Sequence, residues 1–179
     1  MIIEYRGYTI NIEPDEYGES PREWDNLGTM VCFHRRYNLG DKHDFDSVNA
    51  LEDYVKRDDV ISLPLYLCDH SSITMSTCPF SSSWDSGQVG HIFVDKETVR
   101  KKYNWKNVTR GRQQRVEEYL ESKVNTYDMY LTGEVFRYTI GSQQADILDS
   151  RGGYYGEDEA LAAAKDSVDY IVKEKGEVT

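Results

Sequence analysis

The sequence is short of the features that staple or specialise a small protein. It has three cysteines, Cys32, Cys68 and Cys78. Three cannot all pair with one another, and no CxxC spacing occurs, which removes a zinc ribbon and a thioredoxin-type motif. No apolar run approaches the roughly 20 residues that span a bilayer. The opening MIIEYRGYTINIE is too polar for a secretory h-region, so no membrane partner and a reducing, cytoplasmic setting are expected. No Walker or Rossmann glycine pattern is present, which argues against the ordinary nucleotide enzymes and leaves no cofactor to expect. The four histidines show no HxxxH-type spacing. A metal set drawn from His34, Asp69, His70 and His91 would have to be assembled from separate strands, and none is expected. Basic residues are also scarce: 21 Lys and Arg against 32 Asp and Glu give a net charge of −11. Such a chain is repelled by anionic lipid and by duplex DNA at long range.

What remains is ordinary enough to fold. The 179 residues are 39% apolar and 30% charged, enough for a real core and too apolar for disorder. The order of elements predicts an α+β fold over 1–179 as a single domain. It has a mainly antiparallel sheet, two longer helices packed on it and long polar loops. IIEYRGYTINIE alternates around Arg6-Gly7 and reads as a hairpin. TMVCFH and GQVGHIFVD read as strands, and so does ISLPLYLCDH, where Pro64 calls for an edge or a bulge. Ser47 or Asp46 caps a short helix with Val48, Leu51 and Val55 on one face, and Asp95 caps KETVRKKY. Val116, Tyr119, Leu120, Val124, Tyr127 and Leu131 mark the longest helix, with Gly133 just past its end. A last helix, about 157–173, presents Leu161, Ala164, Val168, Ile171 and Val172.

Several constellations could carry function. PREWDNLG and SSSWDSGQVG each place a Trp-Asp pair before a strand, Trp24-Asp25 and Trp84-Asp85. An aromatic plane beside an acceptor suits a base or a cationic ring; it also suits a core plug with an Asx turn. Arg35 and Arg36 follow a strand directly and can fork onto carboxylate or phosphate. Between Cys68 and Gly90 lie seven serines and two threonines beside Asp69, His70, Trp84 and Asp85, with no Lys, Arg or Glu. Hydroxyls such as Ser71 and Ser82 can hold phosphate oxygens or satisfy an irregular loop by themselves. Cys68 and His70, two apart on a strand, share a face, the geometry a thiol–imidazole nucleophile needs. The exception to the acidic body is residues 96–131, with nine bases against five acids. Within it Lys101, Lys102 and Arg112 stand near Tyr103 and Trp105, a mixture that suits a phosphate-bearing ligand or an acidic patch on a second copy, so a homo-oligomer is open. The expectation is that Trp24, Asp25, Arg35, Arg36, Asp69, His70, Ser71, Ser82, Trp84 and Asp85 form one concave polar-aromatic site.

SPREWDNLGTMVCFHRRYNLGD, PLYLCDHSSITMSTCPFSSSWDSGQVGHIFV, EEYLESKVNTYDMYLTGEVFRYTI and GGYYG, taken together, resemble a family of small acidic proteins encoded by bacteriophages and bacterial mobile elements. The resemblance runs from about Ser20 to Gly156 and supplies no catalytic residues. It implies expression in a bacterial host cytoplasm and, by association, an accessory role against host defence. Binding rather than catalysis is the expected activity. The protein would be an acidic decoy for a host defence protein, or would sequester a small anionic or nucleotide ligand. The alternative is a small hydrolase-like enzyme using Asp69, His70 or Cys68.

Overall fold

The computed structural model describes residues 1–70, 72–81, 84–142 and 145–176. Among them the fold is α+β, with every strand pairing antiparallel. The strands form two four-stranded sheets where the sequence reading had one, and each sheet carries its own long helix. The chain divides into two compact units, 1–19 with 133–179, and Ser20–Thr132.

The first unit begins with β1 (Ile2–Tyr5) and β2 (Tyr8–Pro14). Arg6 at φ 51° and Gly7 at φ 81° make the two-residue turn between them, and two positive φ values match the right-handed twist of a hairpin. β7 (Val135–Ser142) and β8 (Ala145–Tyr155) complete the order β1-β2-β7-β8. β2 pairs directly with β7, Thr9 opposite Gly141 and Pro14 opposite Phe136, so this sheet closes across the whole intervening unit. The GGYY stretch ends β8; there Gly153 N donates to Asp15 Oδ2 at 2.9 Å and Tyr155 is buried. α4 (Glu157–Gly176) covers one face, burying Ala160, Ala164 and Val168 against Ile10, Ile12, Tyr138 and Ile140. Ala160 thus takes the deep position the sequence reading gave to Leu161, which is half-buried. Small residues let the helix approach the bulky sheet face closely.

A polar cluster lies beside this core. Asp149 accepts from Ser167 Oγ at 2.6 Å and from Tyr138 OH at 2.8 Å. The Ser167 hydrogen bond, with help from Tyr138, holds the Asp149 carboxyl below its usual range. Burial, together with the Asp149 hydrogen bond, pushes the Tyr138 phenol up to about 12. A depressed carboxyl stabilises the fold above its unfolded value, about 3.9, and that contribution fades as pH falls through the folded value. Ser167→Ala is therefore expected to lower stability by about 1–3 kcal/mol at pH 7. Urea titrations should show the gap from wild type closing below about pH 4.

The second unit is built on β3 (Thr29–Cys32), β4 (Val60–His70), β5 (Ser72–Ser76) and β6 (Ser86–Asp95) in the order β3-β6-β4-β5. Both faces of this sheet are covered. α3 (Arg110–Thr132) lays Val116, Leu120, Val124 and Tyr127 against Met30, Leu65, Met75 and Ile92. α1 (Val48–Val55) lays Leu51 and Val55 against Val31, Val60 and Phe93 on the other face. Double coverage is why β3 and β6 read as continuous apolar runs rather than alternating ones. β4 is interior in the sheet, yet β5 reaches only Tyr66–His70, so Pro64 sits where that side is open. A bulge follows at Leu65/Tyr66. Both devices that tolerate a strand proline are present.

Ser47 caps α1, its Oγ accepting from Ala50 N at 3.2 Å. Asp95 precedes α2 (Lys96–Tyr103) but does not cap it: its carboxylate accepts from Tyr54 OH at 2.9 Å instead, tying α1 to the end of β6. The hydroxyl-rich segment is not simply a loop either. Ser72–Ser76 is β5, and its polar groups turn to α3: Thr74 Oγ1 and Met75 N both donate to Asp128 Oδ1, at 2.7 and 2.6 Å. Those donors hold an edge strand to a helix.

Candidate functional site

The richest polar-aromatic cluster gathers where β4 turns into β5 and β6 begins. Asp69 N donates to Asp85 O at 2.7 Å, so the two aspartates run side by side. His70 Nδ1 lies 3.0 Å from Asp85 Oδ2. Arg36 Nη1 donates to Asp69 Oδ2 at 3.0 Å, and Tyr37 OH donates to Asp69 Oδ1 at 3.1 Å. The loop after β3 is held by His34, whose Nδ1 accepts from both Arg36 N and Tyr37 N at 3.3 Å. Its ring stacks on Tyr37 at 5.1 Å. These groups border an open cavity of about 400 Å³ that includes His34, Arg36, Asp69, Trp84 and Asp85. Trp84 stands at its edge with 95% of its surface in solvent. A carboxylate held by two donors, a histidine beside a second carboxylate and an exposed indole meet at this surface.

Of the ten expected site residues, Arg36, Asp69, His70, Trp84 and Asp85 are brought together here. Ser71 and Ser82 lie outside the described residues. Arg35 is exposed beside Arg36 and does not line the cavity. Trp24 and Asp25 do not join them. Both Trp-Asp pairs precede a strand, but β3 and β6 are antiparallel neighbours with Thr29 opposite Phe93 and Cys32 opposite Gly90. Strands that run oppositely begin at opposite ends, so the two pairs lie toward opposite ends of the β3–β6 ladder. Trp24 instead borders a cavity of about 570 Å³ with Ser20, Arg22, Asn26, Asp41 and Lys42. Lys123 Nζ sits 6.0 Å from the Trp24 ring centre, and Asp25 meets Lys102 at 3.7 Å.

Tyr37 and His34 are the parts of the cluster that sequence reasoning missed as a pair. Their three-residue spacing in HRRY was the available signal, and only the turn made by His34 gives it meaning. His91 is elsewhere: it is buried, and its Nε2 lies 2.9 Å from Glu52 Oε1. That hydrogen bond to His91 is the main cause holding the Glu52 carboxyl below its usual range. Among the described residues no group of three or more His, Cys, Asp or Glu is placed to hold a metal ion. Among the described residues no hydrogen bond joins Cys68 to His70, whose Nδ1 meets Asp85. Cys32 is buried, and burial pushes its thiol up to about 12, which keeps it a packing group.

The three cations singled out in the basic segment are already engaged. Lys101 pairs with Glu97 at 2.7 Å, Lys102 with Asp25, and Arg112 donates to Asn107 O at 2.8 Å while its guanidinium lies 4.8 Å from the Trp105 ring centre. No helix among the described residues is long and apolar enough to cross a membrane. Comparison of the chain with protein-family models, with curated proteins and with solved structures found no match in any of the three.

Proposed function

We propose that the protein acts by binding: an accessory protein of phage type that docks, as an acidic decoy, on a basic host defence protein, with Trp84 as its anchor. The observation that carries this reading is the exposure of Trp84, 95%, next to Asp85, whose backbone carbonyl accepts from Asp69 N and whose carboxylate meets His70. Water-exposed indoles are costly to leave unused, and Trp and Arg dominate the energetics of protein interfaces. The net charge of −11 supports a basic partner, because opposite fields speed encounter and suppress wrong partners. The resemblance to phage and mobile-element proteins supports the setting.

A hydrolase-like reading draws on one observation, the His70–Asp85 hydrogen bond, which orients an imidazole that is largely open to solvent. One experiment separates the two. The protein is expressed in bacterial strains that each carry one defence system, and phage plating is counted. Wild type is expected to restore plating in a strain whose defence protein it binds directly. Trp84→Ala is expected to lose that effect and to bind the defence protein about 30-fold more weakly, the loss of ~2 kcal/mol typical of an anchor. Restoration in no strain, or an unimpaired Trp84→Ala, would refute the docking reading. Loss of the effect in His70→Gln with partner affinity unchanged would favour catalysis.

A further inference from the structure

The elbow between α2 and α3 is a second surface, distinct from Trp84, and the inference drawn from it does not rest on the docking reading. From Thr98 to Val116 the chain has seven bases and no acid, on a body of net charge −11. The structure divides those bases into two groups. Lys101, Lys102 and Arg112 have partners, as described above. Arg100, Lys106, Arg110 and Arg115 are exposed and make no ion pair among the described residues. Their charge is therefore available to an incoming anion.

The aromatic residues between them are organised rather than scattered. Tyr103 and Trp105 stack with ring centres 4.7 Å apart and planes 21° from parallel. The Arg112 guanidinium lies against the Trp105 ring and is itself tied to Asn107 O. Trp105 packs on the core of the unit, so the stack is anchored from below. Asn104, in the left-handed region at φ 52°, makes the sharp turn that sets Tyr103 beside Trp105. Tyr103 remains 40% exposed. A ring held in place at the surface, in a segment that also carries uncommitted cations, is the combination used to bind unpaired nucleotides: cations track phosphates while the ring stacks on a base. An acidic peptide would use the cations but has no need of the ring. A duplex hides its bases from such a ring.

We infer that the α2–α3 elbow binds single-stranded nucleic acid, with Lys106, Arg110 and Arg115 against phosphates and Tyr103 against a base. The test is fluorescence anisotropy of fluorescein-labelled oligothymidylate and oligoadenylate at 20 and 200 mM KCl, with a duplex and polyglutamate as competitors. With three phosphates engaged, the slope of log affinity against log salt is about −2, so affinity is expected to fall roughly 100-fold across this range. Arg110→Gln/Arg115→Gln, which removes no internal ion pair, is expected to flatten that slope to about −0.7. Tyr103→Leu keeps the charges, so its slope should be unchanged while affinity falls about 5- to 150-fold, the range for one stacked base. Thermal melting of each variant confirms that it is folded. No binding of either oligonucleotide at 20 mM KCl would overturn the inference. Polyglutamate competing as well as the oligonucleotides, with Tyr103→Leu indistinguishable from wild type, would also overturn it and point to an acidic protein. Preference for the duplex would overturn it as well.

Discussion

Gly90→Ala is expected to abolish folding of the Ser20–Thr132 unit, seen as insoluble expression or as loss of a cooperative melting transition. Gly90 lies in β6 between Cys32 of β3 and Leu65 of β4. A Cβ at this position would stand 1.9 Å from Val31 O and 2.9 Å from Val31 C. Both are backbone atoms of the paired strand, so no rotamer change relieves the overlap. Relief requires β3 to move away from β6, which breaks their ladder and opens both hydrophobic layers that meet there. Effects above 4–5 kcal/mol are rare for single substitutions and come from this kind of overpacking. Two other glycines calibrate the result. Gly87, in the same strand, has nothing within 4 Å of a Cβ, so Gly87→Ala should stay within about 0.5 kcal/mol of wild type. A Cβ at Gly28 would meet Leu120 Cδ2 at 2.3 Å, the far end of a side chain that can turn aside, so a cost of about 1–3 kcal/mol is expected. A melting temperature for Gly28→Ala below that of Gly87→Ala, with no cooperative transition for Gly90→Ala, is the expected outcome. A stable, cooperative Gly90→Ala would show that β3 is not held against β6 as described.

Arg22→Met is expected to lower stability by about 3–5 kcal/mol, the cost of stranding one member of a buried ion pair. In a protein of this size each kcal/mol moves Tm by roughly 2–4 °C, so a fall of about 6–20 °C should be seen by differential scanning calorimetry. The Arg22 side chain is 5% exposed. It donates to both carboxylate oxygens of Asp41, at 2.9 and 2.5 Å, and to Gly28 O at 2.9 Å. Asp41 Oδ2 also accepts from Met30 N at 2.8 Å. One guanidinium thus fastens the segment before β3 and the segment after it to the same edge strand. Removing it leaves the Asp41 charge half enclosed beside the apolar cluster that holds Met30 and Cys32. Arg22→Met/Asp41→Leu removes the stranded charge as well as its partner. It is expected to regain much of the loss, because an apolar pair of similar volume is often nearly neutral. If the double variant were as unstable as the single one, the hydrogen bonds to Gly28 and Met30 rather than the charge would be the stabilising contact.

Much of the local structure was legible in the sequence. The Arg6-Gly7 hairpin, the Ser47 cap, the α3 stripe from Val116 to Tyr127 and the Gly133 stop at φ 78° are set by neighbours within a few positions. Physical preferences at that range are written directly in residue order. The misreadings share another cause. Asp95 looked like a cap because Ser, Thr, Asp or Asn before a helix usually is one, and Tyr54, 41 residues away, claimed its carboxylate first. Ser72–Ser76 looked like loop because its hydroxyls outnumber its apolar residues, but it pairs with β4 as an edge strand, and Asp128 of α3 takes two of its donors. Half of the expected site assembled because Asp69-His70 end β4 and Trp84-Asp85 precede β6, strands that pair with Cys68 opposite Ser86, while Arg36 reaches Asp69 from the loop after β3. Trp24-Asp25 looked equivalent and was not.

By itself the sequence determined the α+β class, the bounds of most strands and helices, the acidic surface and the basic elbow. These follow from period, capping and composition, each sensed within a turn or a strand. Only the tertiary structure decided that β2 pairs with β7 across the whole Ser20–Thr132 unit, splitting the strands into two sheets. It alone decided that antiparallel β3 and β6 send Trp24 and Trp84 to opposite ends, and which cations already have partners. Strand pairing is a choice among distant segments whose backbone donors and acceptors are chemically identical. What selects the partner is the fit of buried faces across the assembled sheet, a property no short window of residues carries.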